Sequence, residues 1–122
     1  MAEAGAIVVT GGRGGVMEAA SKGAREAGGT TLGILPGADR REANEWVTVA
    51  VPTGMGEARN ALVVRAADAV VAVGGAWGTL SEIALARKTG TPVVGIESWD
   101  LDGVERFETA AEAVAAVLHT LD

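Results

Sequence analysis

An α/β fold with a mostly parallel sheet flanked by helices is what the sequence predicts, and three observations predict it. Short apolar runs rich in Val, Ile, Leu and Ala alternate with segments of helical period, the order that builds parallel strands joined by helical crossovers. The runs stop at glycine or proline: Gly11-Gly12, Pro36-Gly37, Pro52-Thr53-Gly54 and Gly74-Gly75. The composition agrees, since hydrophobic residues make up 48% of the 122 residues, aromatics only 3%, and 18 glycines suit many tight strand-to-helix turns. A disordered chain would be more polar. No linker-like stretch divides the chain, so residues 1–122 read as one domain, long enough to bury a core.

In chain order, Met1-Ala2-Glu3-Ala4-Gly5 reads as the tail of a helix closed by glycine. Residues 6–10 form a short apolar strand. Gly11-Gly12-Arg13-Gly14-Gly15 turns the chain into a helix over residues 16–28, where Met17, Ala20, Ala24 and Ala27 recur at helical spacing. Residues 30–35 make a second strand. Residues 38–46 are polar and charged, a loop with at most a short helical turn, and residues 46–51 form a third strand. A helix over 55–67 places Met55, Ala58, Leu62 and Ala66 on one face. Residues 69–73 are the fourth strand, the helix from Leu80 runs to about Lys88, and 93–96 are the fifth strand. Residues 99–107 are a polar connection, and an alanine-rich helix over 108–121 closes the chain. Strands alternating with helices in this way predict a Rossmann-like architecture.

Charge and residue types narrow the function. The formal net charge of -6, from 16 acidic and 10 basic residues, argues against a nucleic-acid partner, which requires a basic face. A small phosphorylated ligand remains compatible, because helix N-termini and a single arginine make a locally positive pocket. With no cysteine and the single histidine at His119, disulfides, thiolate catalysis and zinc–sulfur sites are ruled out, and a histidine-based triad or metal site has little to be built from. No signal peptide or membrane span is evident, so a cytoplasmic location is expected.

The stretch Val70–Ala84 carries the strongest functional signal. A buried strand breaks at Gly74-Gly75 and enters a helix, at the carboxyl end of a strand where open α/β sheets bind ligands. Three glycines (Gly74, Gly75 and Gly78) and the Thr79 hydroxyl exceed what a simple turn needs. They read as a cradle for an anion, a phosphate above all. Thr79 is expected to cap the helix, and Thr79-Leu80-Ser81-Glu82 has the capping-box pattern. Glu82 is then either the returning carboxylate of that box or a carboxylate beside the ligand. Trp77 either stacks over the pocket mouth or packs on a partner subunit.

The first loop repeats the device without matching a known phosphate fingerprint. Gly11, Gly12, Gly14 and Gly15 lack clean dinucleotide spacing and the Gly-Lys-Ser/Thr ending of a P-loop. They are a ligand loop or a tight βα turn, and Arg13 is a clamp or a solvated charge. Arg59 sits in the first turns of a helix, where a cation is mildly unfavourable unless an anion is near. That anion is Glu57 or a ligand, to which Asn60 could also donate. The ligand is expected at the edge formed by residues 11–15, by 53–60 (Thr53, Gly54, Arg59 and Asn60) and by 74–82.

Together, Gly11-Gly12-Arg13-Gly14-Gly15-Val16-Met17-Glu18, Gly56-Glu57-Ala58-Arg59-Asn60 and Gly74-Gly75-Ala76-Trp77-Gly78-Thr79-Leu80-Ser81-Glu82 resemble three ordered motifs of the Lonely-guy (LOG)-like superfamily, formerly described as possible lysine decarboxylases. The resemblance spans nearly the whole chain. It implies phosphoribohydrolase chemistry, cleavage of the N-glycosidic bond of nucleoside 5′-monophosphates. Arg59 would orient the nucleotide, and Glu82 would position water and stabilise an oxocarbenium-like state. Residues 74–79 would hold the phosphate, with no metal or redox cofactor required.

Arg59 and Glu82 are both retained, which keeps the enzyme open, but other positions depart from its pattern. Gly74 and Ala76 stand where those enzymes carry Pro and a second Gly, Asn60 replaces a basic residue, and Ser81 replaces an acidic one. Gly15-Val16-Met17-Glu18 followed by Ala19-Ala20-Ser21-Lys22-Gly23-Ala24 is more similar to a short bacterial branch resembling molybdenum-cofactor carrier proteins. This implies a non-catalytic carrier of a pterin-type cofactor such as molybdenum cofactor. The resemblance also implies a further strand and helix ahead of Met1, with residues 1–5 as the end of that helix. Either the true start lies upstream, or rearrangement or pairing with another chain fills the gap, so a homodimer or higher homo-oligomer is expected.

Overall fold

Parallel pairing organises every strand, and the apolar runs explain why. A computed structural model describes residues 5–121, and the reading of residues 1–4 as a helix tail lies outside them. The chain divides into two compact units at Val63/Val64.

In the first unit, β1 (Val8–Thr10), β2 (Thr31–Leu35) and β3 (Val49–Pro52) form a sheet in the order β1-β2-β3. Its register pairs Val8 with Thr31 and Leu32 with Val49, all parallel. Helix α1 (Val16–Glu26) is the crossover from β1 to β2 and packs on both strands. Ser21 and Ala24 are its buried residues, while Ala27 lies past its end and is exposed. The chain leaves α1 through Gly28 at φ 80°, whose N–H donates to the Arg25 carbonyl. Leu35 is fully buried, and Val8, Ala24, Ile34 and Val63 are buried with it.

The third strand begins later than the sequence predicts, at Val49 rather than Trp46. Thr31 is the cause. Its buried hydroxyl donates to the Trp46 carbonyl at 2.7 Å and accepts from the Thr48 N–H at 2.7 Å. The Thr31 N–H in turn donates to the Thr48 hydroxyl at 3.1 Å. Side-chain bonds hold residues 46–48 in a loop conformation that apolar patterning cannot foresee. The preceding loop contains only a 3₁₀ turn at Arg40–Glu42, opened by Asp39 accepting from the Arg41 N–H.

Helix α2 (Arg59–Ala66) is preceded by a 3₁₀ turn at Gly56–Ala58, so the helix over 55–67 is shorter than expected. Its buried residues are Asn60, Val63 and Val64, whereas Met55 and Leu62 are exposed. The predicted face is therefore rotated. All four predicted residues are exposed, because Val63 and Val64 offer a second apolar side at helical spacing and that side meets the core.

In the second unit, β4 (Val70–Val73), β5 (Val93–Ile96) and β6 (Glu105–Phe107) form a parallel sheet in the order β4-β5-β6. Val70 pairs with Val93, and Val94 with Glu105. Helix α3 (Trp77–Thr89) packs on β4 and β5, and α4 (Ala110–Leu121) on β4, β5 and β6. The core is Val64, Ala72, Ile83, Ala86, Val93 and Val104, with Val70, Leu85 and Trp99 against it. Gly90, left-handed at φ 76°, ends α3 as its N–H donates to the Arg87 carbonyl. The sixth strand lies within the predicted polar connection. Glu105 and Arg106 are exposed on it, so it lacks the apolar run that marks a central strand.

These are the parallel sheets flanked by helices that the sequence predicts. Among the described residues β1 pairs only with β2, and β4 only with β5. No helix of the described residues is long and apolar enough to cross a membrane.

Candidate binding loops

The first unit positions one glycine loop and one arginine. After β1, the Gly12 N–H donates to the Thr10 hydroxyl at 3.0 Å, and Gly12 takes φ 78°. A Cβ on Gly12 would lie 2.7 Å from Leu35 Cδ2 and 3.2 Å from the Gly33 Cα. Only glycine brings this turn so close to β2. Asn44 then fastens the loop: its N–H donates to the Gly12 carbonyl at 2.8 Å, and its Nδ2 to the Arg13 carbonyl at 2.8 Å. Asn44 was not singled out from the sequence, where one loop asparagine carries no distinguishing spacing. Arg13, Gly14 and Gly15 are exposed, and α1 starts after Gly15 with no side-chain cap. The N–H groups of its first turn thus have no intrahelical acceptor.

Arg59 opens α2 and lies over Gly11. A Cβ on Gly11 would sit 2.6 Å from Arg59 Nη2 and 2.7 Å from Met17 Sδ, so the glycine makes room for the guanidinium. Arg59 Nη1 donates to the Oδ1 of Asn60, itself 4% exposed. Among the described residues the buried Arg59 Nε has no partner. A buried, unpaired donor on a cation is costly, and an anionic acceptor would relieve it. The Thr53 hydroxyl donates to the Leu35 carbonyl at 2.6 Å and accepts from the Met55 N–H at 3.2 Å. Gly54 follows at φ 65°, its N–H donating to the Gly37 carbonyl at 2.8 Å. Thr53 and Gly54 thus spend these groups shaping the turn that leads to Arg59. Replacing Gly11 with alanine should push the guanidinium aside. The cost in urea unfolding is expected to be about 1 kcal/mol, since the crowding groups are the far ends of flexible side chains, and a loss of several kcal/mol would show that the guanidinium cannot move.

The second unit carries the other loop. Gly74 takes φ 84°, and its N–H donates to the Ile96 carbonyl at 3.0 Å, extending the β4–β5 ladder by one bond. Gly75 and the extended Ala76 follow, and α3 begins at Trp77. Thr79 therefore stands in the first turn rather than at the cap, which Ala76 occupies without a side-chain bond. The helix starts earlier than predicted because the backbone already turns helical after Ala76. The first-turn N–H groups, including those of Gly78 and Thr79, have no intrahelical acceptor and carry the positive end of the helix dipole. Glu82 is half-buried in the next turn.

Beside this loop, at the carboxyl end of β5, the Trp99 Nε1–H donates to the Ala76 carbonyl at 3.3 Å, and the Trp99 and Trp77 rings pack at 5.4 Å between centroids. Glu97, at φ 48°, lines an open cleft of about 540 Å³ with Arg106, Phe107 and Glu108. These cleft residues carry no signal in the sequence, where residues 99–107 read as a polar connection.

Parallel sheets whose strands run through glycine turns into helix N-termini define a recurrent class of α/β proteins, one that serves many functions. Residues 1–120 match the SLOG cluster4 family, and the chain belongs to it. An uncharacterised protein of Archaeoglobus fulgidus is 43% identical over 115 residues, covering 93% of this chain and 76% of that one. The molybdenum cofactor binding protein from the phototrophic bacterium Rippkaea orientalis superposes with a TM-score of 0.92 at 36% identity, over 99% of this chain and 81% of its own. The molybdenum cofactor carrier protein of Chlamydomonas reinhardtii does so with a TM-score of 0.88 at 40% identity, over 98% of this chain and 80% of its own. The expected likeness to LOG-like proteins and to molybdenum-cofactor carriers is borne out.

Proposed function

We propose that this chain binds and carries a phosphorylated pterin-type cofactor such as molybdenum cofactor, without turning it over. The observation that carries the reading is the likeness, over 99% of the chain, to a molybdenum cofactor binding protein. The chain's own residues fit such a ligand. Each unit by itself has groups suited to an anion: in the first, Arg59 offers a buried guanidinium N–H with no partner among the described residues, and in the second, the start of α3 offers first-turn N–H groups. The ligand roles of Gly11, Gly12, Arg13, Gly14, Gly15, Thr53, Gly54 and Asn60 in the first unit, and of Gly74, Gly75, Gly78 and Thr79 in the second, belong to this proposal. A chain with no cysteine supplies no thiolate to a metal, so the metal would keep the cofactor's own sulfur ligands.

Hydrolysis of nucleoside 5′-monophosphates is the second reading, favoured by the presence of both Arg59 and Glu82. Incubation with purine and pyrimidine monophosphates separates the two. The carrier reading expects no release of free base, and sustained release that disappears in Glu82→Gln would replace it with the enzyme.

The protein is further proposed to work as a homodimer or larger assembly, supported by the exposed apolar side chains of Ile7 beside β1 and of Val49 and Val51 on β3. Light scattering should report at least twice the chain mass. A monomer at working concentration would contradict it.

A further inference from the structure

Trp77 is 78% exposed, in a chain where aromatics are 3% of residues. Large aromatic side chains usually bury most of their area, and an indole left in water forgoes that gain. Yet this one is not loosely held. Its ring packs against Trp99 with centroids 5.4 Å apart and planes tilted by 36°, within the range of favourable aromatic pairs. Trp99 is itself fixed twice, by packing on the core around Ile83 and Val93 and by its Nε1–H bond to the Ala76 carbonyl. A core-anchored ring therefore sets the orientation of an exposed one, which keeps most of its surface open to solvent.

We propose that the Trp77–Trp99 pair is a preformed stacking platform for the flat heteroaromatic ring of the ligand, and so selects ring-bearing phosphates over ringless ones. This rests on the reading of the protein as a carrier of a phosphorylated pterin-type molecule. Size favours a heterocycle over a second protein surface. A whole indole offers roughly 150–250 Å², whereas a stable protein interface needs about 800 Å² from each partner. In the chain Trp77 stands between Ala76 and Gly78, which add almost no side-chain surface of their own. Stacking is also tolerant of ring identity, because every heterocycle presents a π-face. The platform thus selects for a ring, while the ring's edge groups are read elsewhere.

The test is calorimetric titration of the full chain with 6-hydroxymethylpterin phosphate and, separately, with inorganic phosphate, for the parent protein, Trp77→Ala and Trp77→Phe. Trp77→Ala is expected to weaken the pterin phosphate about tenfold and leave inorganic phosphate unchanged, while Trp77→Phe retains most of the affinity. Equal pterin-phosphate affinity in the parent and Trp77→Ala overturns the platform and leaves the carrier reading standing. So does a change in Trp77→Ala confined to assembly mass by light scattering, which would give this face to a second copy of the chain. Failure of the parent protein to bind either probe overturns the carrier reading, and the platform with it.

Discussion

Replacing Arg59 with alanine is expected to lower affinity for a phosphorylated ligand about 30-fold, with little change in folding stability. The asymmetry follows from the environment of the side chain. A hydrogen bond to a charged group contributes about 1.5–3 kcal/mol, and about 1.4 kcal/mol is tenfold in affinity. One lost guanidinium contact therefore falls in the range of ten- to hundredfold. Folding gains little from the same side chain, because its buried Nε has no partner among the described residues and its Nη1 contact is to the adjacent Asn60. Removing it deletes one unsatisfied donor and strands one buried acceptor, the Asn60 Oδ1, so the two effects on stability offset. Arg59→Lys should recover part of the loss, since the charge remains but the planar fork does not. Titration calorimetry combined with urea unfolding checks both halves. A variant that unfolds more easily but binds normally would make Arg59 structural.

The largest stability loss is expected at Ile83. It is fully buried at the centre of the second unit's core, among Val64, Ala72, Ala86, Val93 and Val104. Ile83→Ala removes three carbons from a site walled by small and β-branched side chains. Their rotamers are restricted, so they collapse poorly into the space. The expected cost is about 3–4 kcal/mol, within the range for buried Ile or Leu to Ala and a large share of a typical domain's stability. Ile83→Val should cost about 1 kcal/mol. Urea unfolding followed by circular dichroism measures both, and a loss below about 1 kcal/mol for Ile83→Ala would contradict tight packing between α3 and β4–β5.

The elements that apolar pattern controls were readable in the sequence. The fifth strand lies at residues 93–96 as expected, because the run Val93-Val94-Gly95-Ile96 is bounded by Pro92 and polar residues. Glycine turns after Thr10 and Val73 were equally plain, as punctuation between a strand and a helical period. What escaped notice depends on side-chain hydrogen bonds or on burial at an edge. Thr31 holds residues 46–48 out of β3, and Asn44 fastens the Gly12 turn. Strand β6 has only Phe107 as an apolar residue and was unreadable as a strand. At the candidate loops, residue identity was readable but geometry was not. Spacing suggests Thr79 as a cap, whereas the cap lies three residues earlier, at Ala76, and α3 opens at Trp77. The cover that Gly11 leaves for Arg59 joins residues 48 positions apart and has no local signature.

The most direct measurement is the pterin content of the protein purified from a host that makes molybdenum cofactor, read as the fluorescence of oxidised pterin released on denaturation. Carriage of such a cofactor predicts pterin in near-stoichiometric amount in the parent protein, strongly reduced in Arg59→Ala. Parent protein that emerges pterin-free from a cofactor-replete host, folded and able to bind inorganic phosphate, would contradict it.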